Sequence, residues 1–427
     1  MGHKFLFVSK DALINDIAWQ TVKEGHDVKY FIEEKGESDI TDGFVPKTEN
    51  WEQEIEWADV IVFDDVLGHG TKAEKLRKAG KKVVGGTAYT DRLEDDRAFG
   101  QEELKNHGVK ILPYREFTDF DEAINYIRTN PDEYVIKPCG EAANYKGLLF
   151  VGQEKDGSDV IRVMEAYKRV WSKVIKTFQL QRKVRGVEIA VGAFFTGKEF
   201  VYPISINFEH KKLFVGNIGP ATGEMGTSMF WTGQNRLFNE TLKKLEGKLA
   251  EENYIGYIDI NCIVNGQGIY PLEFTCRFGY PTISIQQEGI INPIGEVLYA
   301  LANGENPNLQ VKKGFQVGVR VVVPPFPFKD KKIFDSYSKE ATIVFKQKNG
   351  LDGIHIEDVK IINNQWVVTG STGTALIVVG TGLTMREAKK QAYARIQNIL
   401  IPNMYYRTDI GDRWYEEGDK LRSWDII

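Results

Sequence analysis

Residues 256–281 read GYIDINCIVNGQGIYPLEFTCRFGYP. Two apolar-rich runs flank Asn265-Gly266-Gln267-Gly268, so the segment is expected to fold as a β-hairpin. Period-two alternation places Asp259 with Asn261, and Glu273 with Thr275, on common faces, and their oxygens converge. With a three-residue loop, Asp259 would lie opposite Glu273, and two facing carboxylates repel unless a cation or a basic side chain stands between them. Magnesium is the natural cation, because it takes few protein oxygens and fills its octahedron with water and nucleotide phosphates; manganese would suit the same ligands. The alternative is an ordinary salt bridge from one carboxylate to Arg277.

Upstream, GNIGPATGEMG at 216–226 places four glycines and Pro220 within eleven residues. That composition points to a backbone shaped by tight turns and close ligand approach, with a structural Ω-loop as the plain alternative. Strands are expected within 177–193, around Arg185-Gly186, and within 199–215, followed by a helix over 237–249. Earlier still, strands at 134–138 and 147–151 flank the loop CGEAANYKG, which is small enough to fold down over a ligand. Lys137 and Lys146 bracket that loop, placed to meet phosphate oxygens as mobile point charges. The GxxxxGK[ST] spacing is missing, and a solvated hairpin loop is the alternative.

The first 90 or so residues alternate apolar runs at 5–8, 28–32, 60–63 and 82–84 with helical periodicity at 13–22 and 71–79. An open parallel sheet follows from that βαβ pattern. The turn after the first strand, Ser9-Lys10-Asp11-Ala12, holds no glycine, which excludes the close pyrophosphate approach of a dinucleotide site. Length sets the scale: 427 residues exceed what one core organises, so several subdomains are expected. Fifty-five basic against 60 acidic residues supply no global basic field for nucleic acid or an anionic membrane. Three cysteines, Cys139, Cys262 and Cys276, make neither a disulfide framework nor a zinc site, which suits a reducing cytoplasm. No apolar run is long enough to span a membrane.

Five stretches in this order resemble the phosphoribosylamine-glycine ligase family of the ATP-grasp superfamily: RLEDDRAFGQEELKNHGVK (92–110), YVIKPCGEAANYKGLLFVG (134–152), FEHKKLFVGNIGPATGEMG (208–226), LEFTCRFGYP (272–281) and YYRTDIGDRW (405–414). The resemblance implies an α/β ATP-grasp fold. It would comprise an N-terminal open-sheet domain (1–92), an ATP-grasp domain (93–312) with a nucleotide lid at about 115–180, and a C-terminal mixed α/β domain (313–427). In the last, strands are expected at 317–323 and 375–379, then a helix opened by the capping box Thr384 to Glu387.

The chemistry implied is ligation in two steps: a carboxylate attacks the γ-phosphate of ATP, and an amine displaces phosphate from the acyl phosphate to give an amide. The protein would act by positioning and charge neutralisation. Carried over by position, Arg97, Lys137, Lys146, Gln181, Lys183 and Glu188 would contact ATP, and Glu273, Thr275 and Asp259 would serve magnesium or manganese. Arg277 and Lys211 would act on the reacting groups, with Lys10, Glu209, Asn217, Thr222, Gly223 and Arg277 on the substrates.

Departures from the family pattern gather where substrates bind. SKDALI replaces a glycine-rich phosphate cradle, Glu209 and Tyr280 replace aspartates, Glu224 replaces a glycine, and Thr275 replaces an asparagine ligand. The substrates are therefore expected to be small molecules, an amino acid and an amine, whose identity has room to differ. The expected assembly is a monomer or small homo-oligomer. A non-catalytic nucleotide-binding module and a scaffold that has lost ATP are the competing classes. His210, beside two lysines, is expected at a solvent-exposed strand end with no proton-transfer role.

Overall fold

The computed structural model describes residues 2–64, 68–140, 142, 145–347 and 350–427, and the Lys146 side chain lies outside the described residues. The N-terminal parallel sheet forms as expected from β1 (Lys4–Ser9), β2 (Asp27–Ile32), β3 (Val60–Phe63) and β4 (Val83–Val84), in the order β2-β1-β3-β4. Alternate side chains of β1 supply two cores. Phe5 and Phe7 pack with Ile14, Ile17 and Ala18 around the helix Asn15–Lys23, whereas Leu6 and Val8 pack with Ala73 of the helix His69–Lys78. The chain order reverses between β1 and β3, which makes their carboxyl ends, Ser9 and Asp64, the place where such sheets receive ligands.

A second sheet, β5 (Tyr114–Phe117), β6 (Tyr134–Pro138), β7 (Phe150–Val151) and β8 (Phe178–Arg182), runs β5-β8-β6-β7 and is antiparallel throughout. Helices Phe120–Thr129 and Ser158–Val170 close a small separate core on it through Ile124, Ile127, Val160 and Met164. The strand expected over 147–151 is shorter, because Lys146–Leu148 forms a 3-10 turn.

The largest sheet joins β9 (Val187–Thr196), β10 (Ile204–Glu209), β13 (Gly226–Thr232), β14 (Ile255–Asn265), β15 (Gly268–Thr275), β16 (Phe315–Val322), β18 (Ile354–Ile356) and β21 (Thr374–Gly382). Its order is β15-β14-β9-β10-β13-β16-β21-β18, so hydrogen bonding continues from β13 to β16 across position 313. Three two-stranded pairs complete the set: β11 (Lys212–Phe214) with β12 (Ile218–Ala221), β17 (Val344–Phe345) with β22 (Ile399–Leu400), and β19 (Val359–Ile362) with β20 (Gln365–Val368).

Two local expectations need correction. The β14-β15 hairpin turns on Gly266 and Gln267 alone, and the register shifts at Asn261/Cys262, so Asp259 faces Thr275 and Asn261 faces Glu273. Pro271 stands beside the shift; it has no N–H to give the ladder, and an extra residue is accommodated there. The single helix expected over 237–249 is broken into Arg236–Glu240, a 3-10 turn Leu242–Leu245 and Glu246–Glu251. Thr241 leaves helical geometry at φ −125°, its hydroxyl turned back to the Leu237 carbonyl. Among the described residues no helix is long and apolar enough to cross a membrane.

Candidate active site

The carboxyl end of β6, the start of the helix Arg97–Asn106 and the loop after β10 bring cations to one place. Lys137 is 7 % exposed, and its pKa falls to about 8, first through burial and then through the nearby charges of Arg97 and Lys211, with Glu273 opposing. Three like charges held together in this way are an unfinished arrangement, and an anion entering among them relieves it.

Beneath them lies the carboxylate cluster. The Lys211 ammonium is 3.1 Å from Glu273, 3.2 Å from Glu188 and 3.4 Å from Glu209, and these three carboxylates hold its pKa well above the usual range against the opposing effect of burial. Lys211, with Arg97 adding to it, depresses Glu273 to about 2. The Glu273 side chain remains about half exposed although protein surrounds it, which describes the wall of a cleft. Lys211 is itself fixed through its carbonyl, which accepts from Thr222 N at 2.8 Å and Thr222 Oγ1 at 2.9 Å.

Asp259 is 2 % exposed, takes a hydrogen bond from Thr275, and is pushed well above the carboxylate range by burial, Glu209 and Glu94. Its Oδ1 has no hydrogen-bond partner among the described residues. Arg277 meets Glu94 at 3.1 Å, while Glu94 also accepts from Cys276 N at 2.7 Å, so the helix Ala88–Asp95 braces the end of β15.

Of the positions expected from sequence, Arg97, Lys137, Glu188, Glu209, Lys211 and Glu273 come together, with Asp259 and Thr275 beside them. Gln181 is buried in β8 opposite Val135 and Tyr114, within the lid sheet. Lys183 is committed elsewhere: its Nζ donates to the Gly152 carbonyl at 2.8 Å and to Gln153 at 3.1 Å. That is the opposite end of β6 from Lys137, about 13 Å along the strand. Asn217 adopts φ 57° and accepts from Arg407 at 2.9 Å, which makes it a support of the β11-β12 turn. A Cβ at Gly223 would come 3.8 Å from Arg320, and Lys10 is half-buried at the end of β1. Lys146 belongs to the turn that lies against β12, and its side chain lies outside the described residues.

His210 is buried, not exposed, with its pKa lowered to about 3 by burial and by Arg413 and Arg407, so it stays neutral. Cys262 and Cys276 are buried, with thiols raised by burial. Sequence inspection gave no role to Glu94, Arg407 or Arg413. The last donates to the carbonyls of both Glu188 and Glu209, tying β9 to β10 directly behind the carboxylates. All three lie in the stretches that carried the resemblance, but the partners through which they brace the site are 182 or more positions away, beyond the reach of any spacing rule.

Residues 95–283 match the family model for the phosphoribosylglycinamide synthetase ATP-grasp (A) domain, and residues 329–413 match that for its C domain. The chain belongs to the phosphoribosylglycinamide synthetase family. Relatives in this family include the phosphoribosylamine-glycine ligase of Listeria innocua, 27% identical over 356 residues, which span 80% of either chain. That of Streptococcus pneumoniae strain R6 is 26% identical over 364 residues, 82% of either chain. Among solved structures, the phosphoribosylamine-glycine ligase of Thermotoga maritima superposes with a TM-score of 0.71 at 21% identity, covering 95% of this chain and 100% of that one. A biotin carboxylase in complex with β-γ-ATP from Campylobacter jejuni follows at 0.65 and 12%, covering 99% and 96%. The fold is therefore ATP-grasp. Phosphoribosylglycinamide synthetases are amide-forming ligases of that superfamily, whose enzymes use ATP and magnesium.

Proposed function

We propose that the cleft between the β5-β8 lid sheet and the β9-β10-β14-β15 hairpins binds ATP with magnesium and joins a carboxylate to an amine through an acyl phosphate. The observation that carries this is the gathering of Arg97, Lys137 and Lys211 around Glu273, a charge pattern that suits a triphosphate. The donors also suit magnesium: Glu273 is ionised and water-accessible, and Asp259 keeps an unpartnered oxygen. Among the described residues no three acidic, His or Cys side chains form a closed cage, and magnesium does not need one, since phosphate and water complete its shell. When bound, the metal would offset negative charge on the transferring phosphoryl group.

The residues of the chain account for the rest. Lys137 and Arg97 hold the phosphates in line, Lys211 anchors Glu273 and approaches the transferring group, and Arg277, braced by Glu94, orients the acceptor carboxylate. The lid turn against β12 excludes water that would hydrolyse an acyl phosphate. We assign 1–92 to an N-terminal unit, 93–312 with its lid at about 115–180 to catalysis, and 313–427 to a C-terminal unit. The names of the relatives make glycine and phosphoribosylamine the first substrate pair to assay, in a cytoplasmic enzyme that is monomeric or a small homo-oligomer.

The test is ADP formation from ATP and magnesium over a panel of amino acids and amines, in wild type and in Glu273→Ala. Turnover that disappears in the variant, with its melting temperature kept, supports a ligase. Nucleotide binding with no turnover on any pair would favour a non-catalytic binding module.

A further inference from the structure

The lid sheet carries two buried amides on the face turned to the cleft. Alternation separates the faces of β6 and β8. Ile136, Phe178 and Leu180 point into the lid core beneath the helices Phe120–Thr129 and Ser158–Val170, whereas Lys137, Gln179 and Gln181 point the other way. Across the ladder Gln179 stands opposite Lys137 and Glu116, and Gln181 opposite Val135 and Tyr114, with about 5 Å between the Cβ atoms of each facing pair. Lys137 brings its ammonium near Arg97, Lys211 and Glu273, so this is the face that looks into the cleft.

Gln179 is 1 % exposed and Gln181 3 %. Among the described residues neither carboxamide has a hydrogen-bond partner, and Nε2 of Gln179 is sealed from solvent besides. A buried amide left in that state weakens the fold, where an apolar side chain of the same length would not. A ligand lying on this face would supply the partners that the protein does not. A half-turn of the amide exchanges its nitrogen and oxygen, so donor and acceptor can both be turned to such a ligand.

The cations decide which way a nucleotide lies. Its phosphates go to Lys137, Arg97 and Lys211. One step further from that cluster, about 7 Å along β8, half-buried Val135 and Tyr114 flank Gln181 and offer a planar ring a bed. Gln179 stands between the two. In an anti purine nucleotide the N7 edge lies on the side of the 5′ phosphates, which turns it towards Gln179. Adenine presents there an N7 acceptor beside the N6 amino donor, a pair that one carboxamide matches with both its atoms, whereas guanine presents two acceptors. We propose that Gln179 reads the N6–N7 edge of adenine and so sets a preference of this cleft for ATP over GTP. This rests on the nucleotide cleft proposed above.

Calorimetric titration of the full-length protein in magnesium compares ADP, GDP and 7-deaza-ADP, in which a C–H replaces N7. Wild type is expected to bind 7-deaza-ADP and GDP each about 10-fold more weakly than ADP. Gln179→Met keeps the length of the side chain and drops both hydrogen-bonding atoms. In that variant ADP affinity falls to the level of 7-deaza-ADP, while the melting temperature without nucleotide is held or raised, an unpaired amide having been removed. Wild type that binds ADP no better than 7-deaza-ADP or GDP overturns the proposal, as does a gap between ADP and 7-deaza-ADP that persists in the variant. A lower melting temperature with ADP affinity kept makes Gln179 a packing residue and overturns it too. The 7-deaza comparison is made on wild type, so it decides even where the variant does not fold. Failure of the cleft itself reads out differently: wild type then binds none of the three nucleotides, and both readings fall.

Discussion

Glu188, Glu209 and Glu273 share one ammonium at 3.1–3.4 Å, so replacing Lys211 by methionine leaves three carboxylates to repel one another. In a partly solvated cleft the stability loss is modest, on the order of 1–2 kcal/mol in urea unfolding. The expected fall in kcat/KM for ADP release is larger, about 100-fold or more, because charge stabilisation of the transferring phosphoryl group is lost. Lys137 makes a pH prediction. With its pKa near 8 in the nucleotide-free protein, its charge is lost as pH rises through 8, so ATP affinity measured by calorimetry falls from pH 7 to 9 and binding takes up a proton. Lys137→Arg, which stays charged, flattens that dependence. For folding the sign is opposite: the cost of the buried ammonium is fully present below pH 8 and is relieved towards 10.5, the value of an unfolded lysine. That Lys137, Lys211 and Glu273 lie together was legible through the resemblance, because each stands in one of its five stretches. Lys183 was not, since its partners Gly152 and Gln153 come from another strand.

Between elements, one buried histidine joins the N- and C-terminal parts. His355 in β18 meets Asp16 of the helix Asn15–Lys23 at 2.7 Å and Glu288 at 3.4 Å. Burial would lower its pKa, but Asp16 and then Glu288 raise it to about 9. Its contribution is therefore complete below about 6.5 and lost as pH climbs through 9, roughly 2–3 kcal/mol in denaturant unfolding at pH 6 against pH 9.5. His355→Gln should remove most of that difference. A second case is Gly380 in β21, where a Cβ would stand 2.3 Å from the backbone of Ala388 and of Ala392. Gly380→Ala forces the helix Met385–Ile396 off the sheet, and a loss of about 3 kcal/mol or more in thermal unfolding is expected. The parallel sheet and the capping box at Thr384 were readable from periodicity and local hydrogen bonding. The hairpin register was not, because Pro271 adds a shift that alternation alone does not reveal.

Across the molecule, residues 405–427 return to the strands of the candidate site. Arg407, 1 % exposed, donates to the Lys212 carbonyl at 2.8 Å and pairs with Asp409, while Arg413 clips the carbonyls of Glu188 and Glu209. Truncation after residue 404 is expected to abolish ADP formation while leaving the N-terminal sheet intact by hydrogen exchange. The resemblance located this tail in sequence, but its closure onto β9 and β10 requires the fold.

The unbroken ladder from β15 to β18 bears on how the protein can be altered. A scissor cut near 313 would expose two raw strand edges, those of β13 and β16, each a template for sticking to other chains. Halves expressed apart should thus precipitate or recombine, and shuffling of the tail module among relatives is tolerated only when the splice point lies outside that seam.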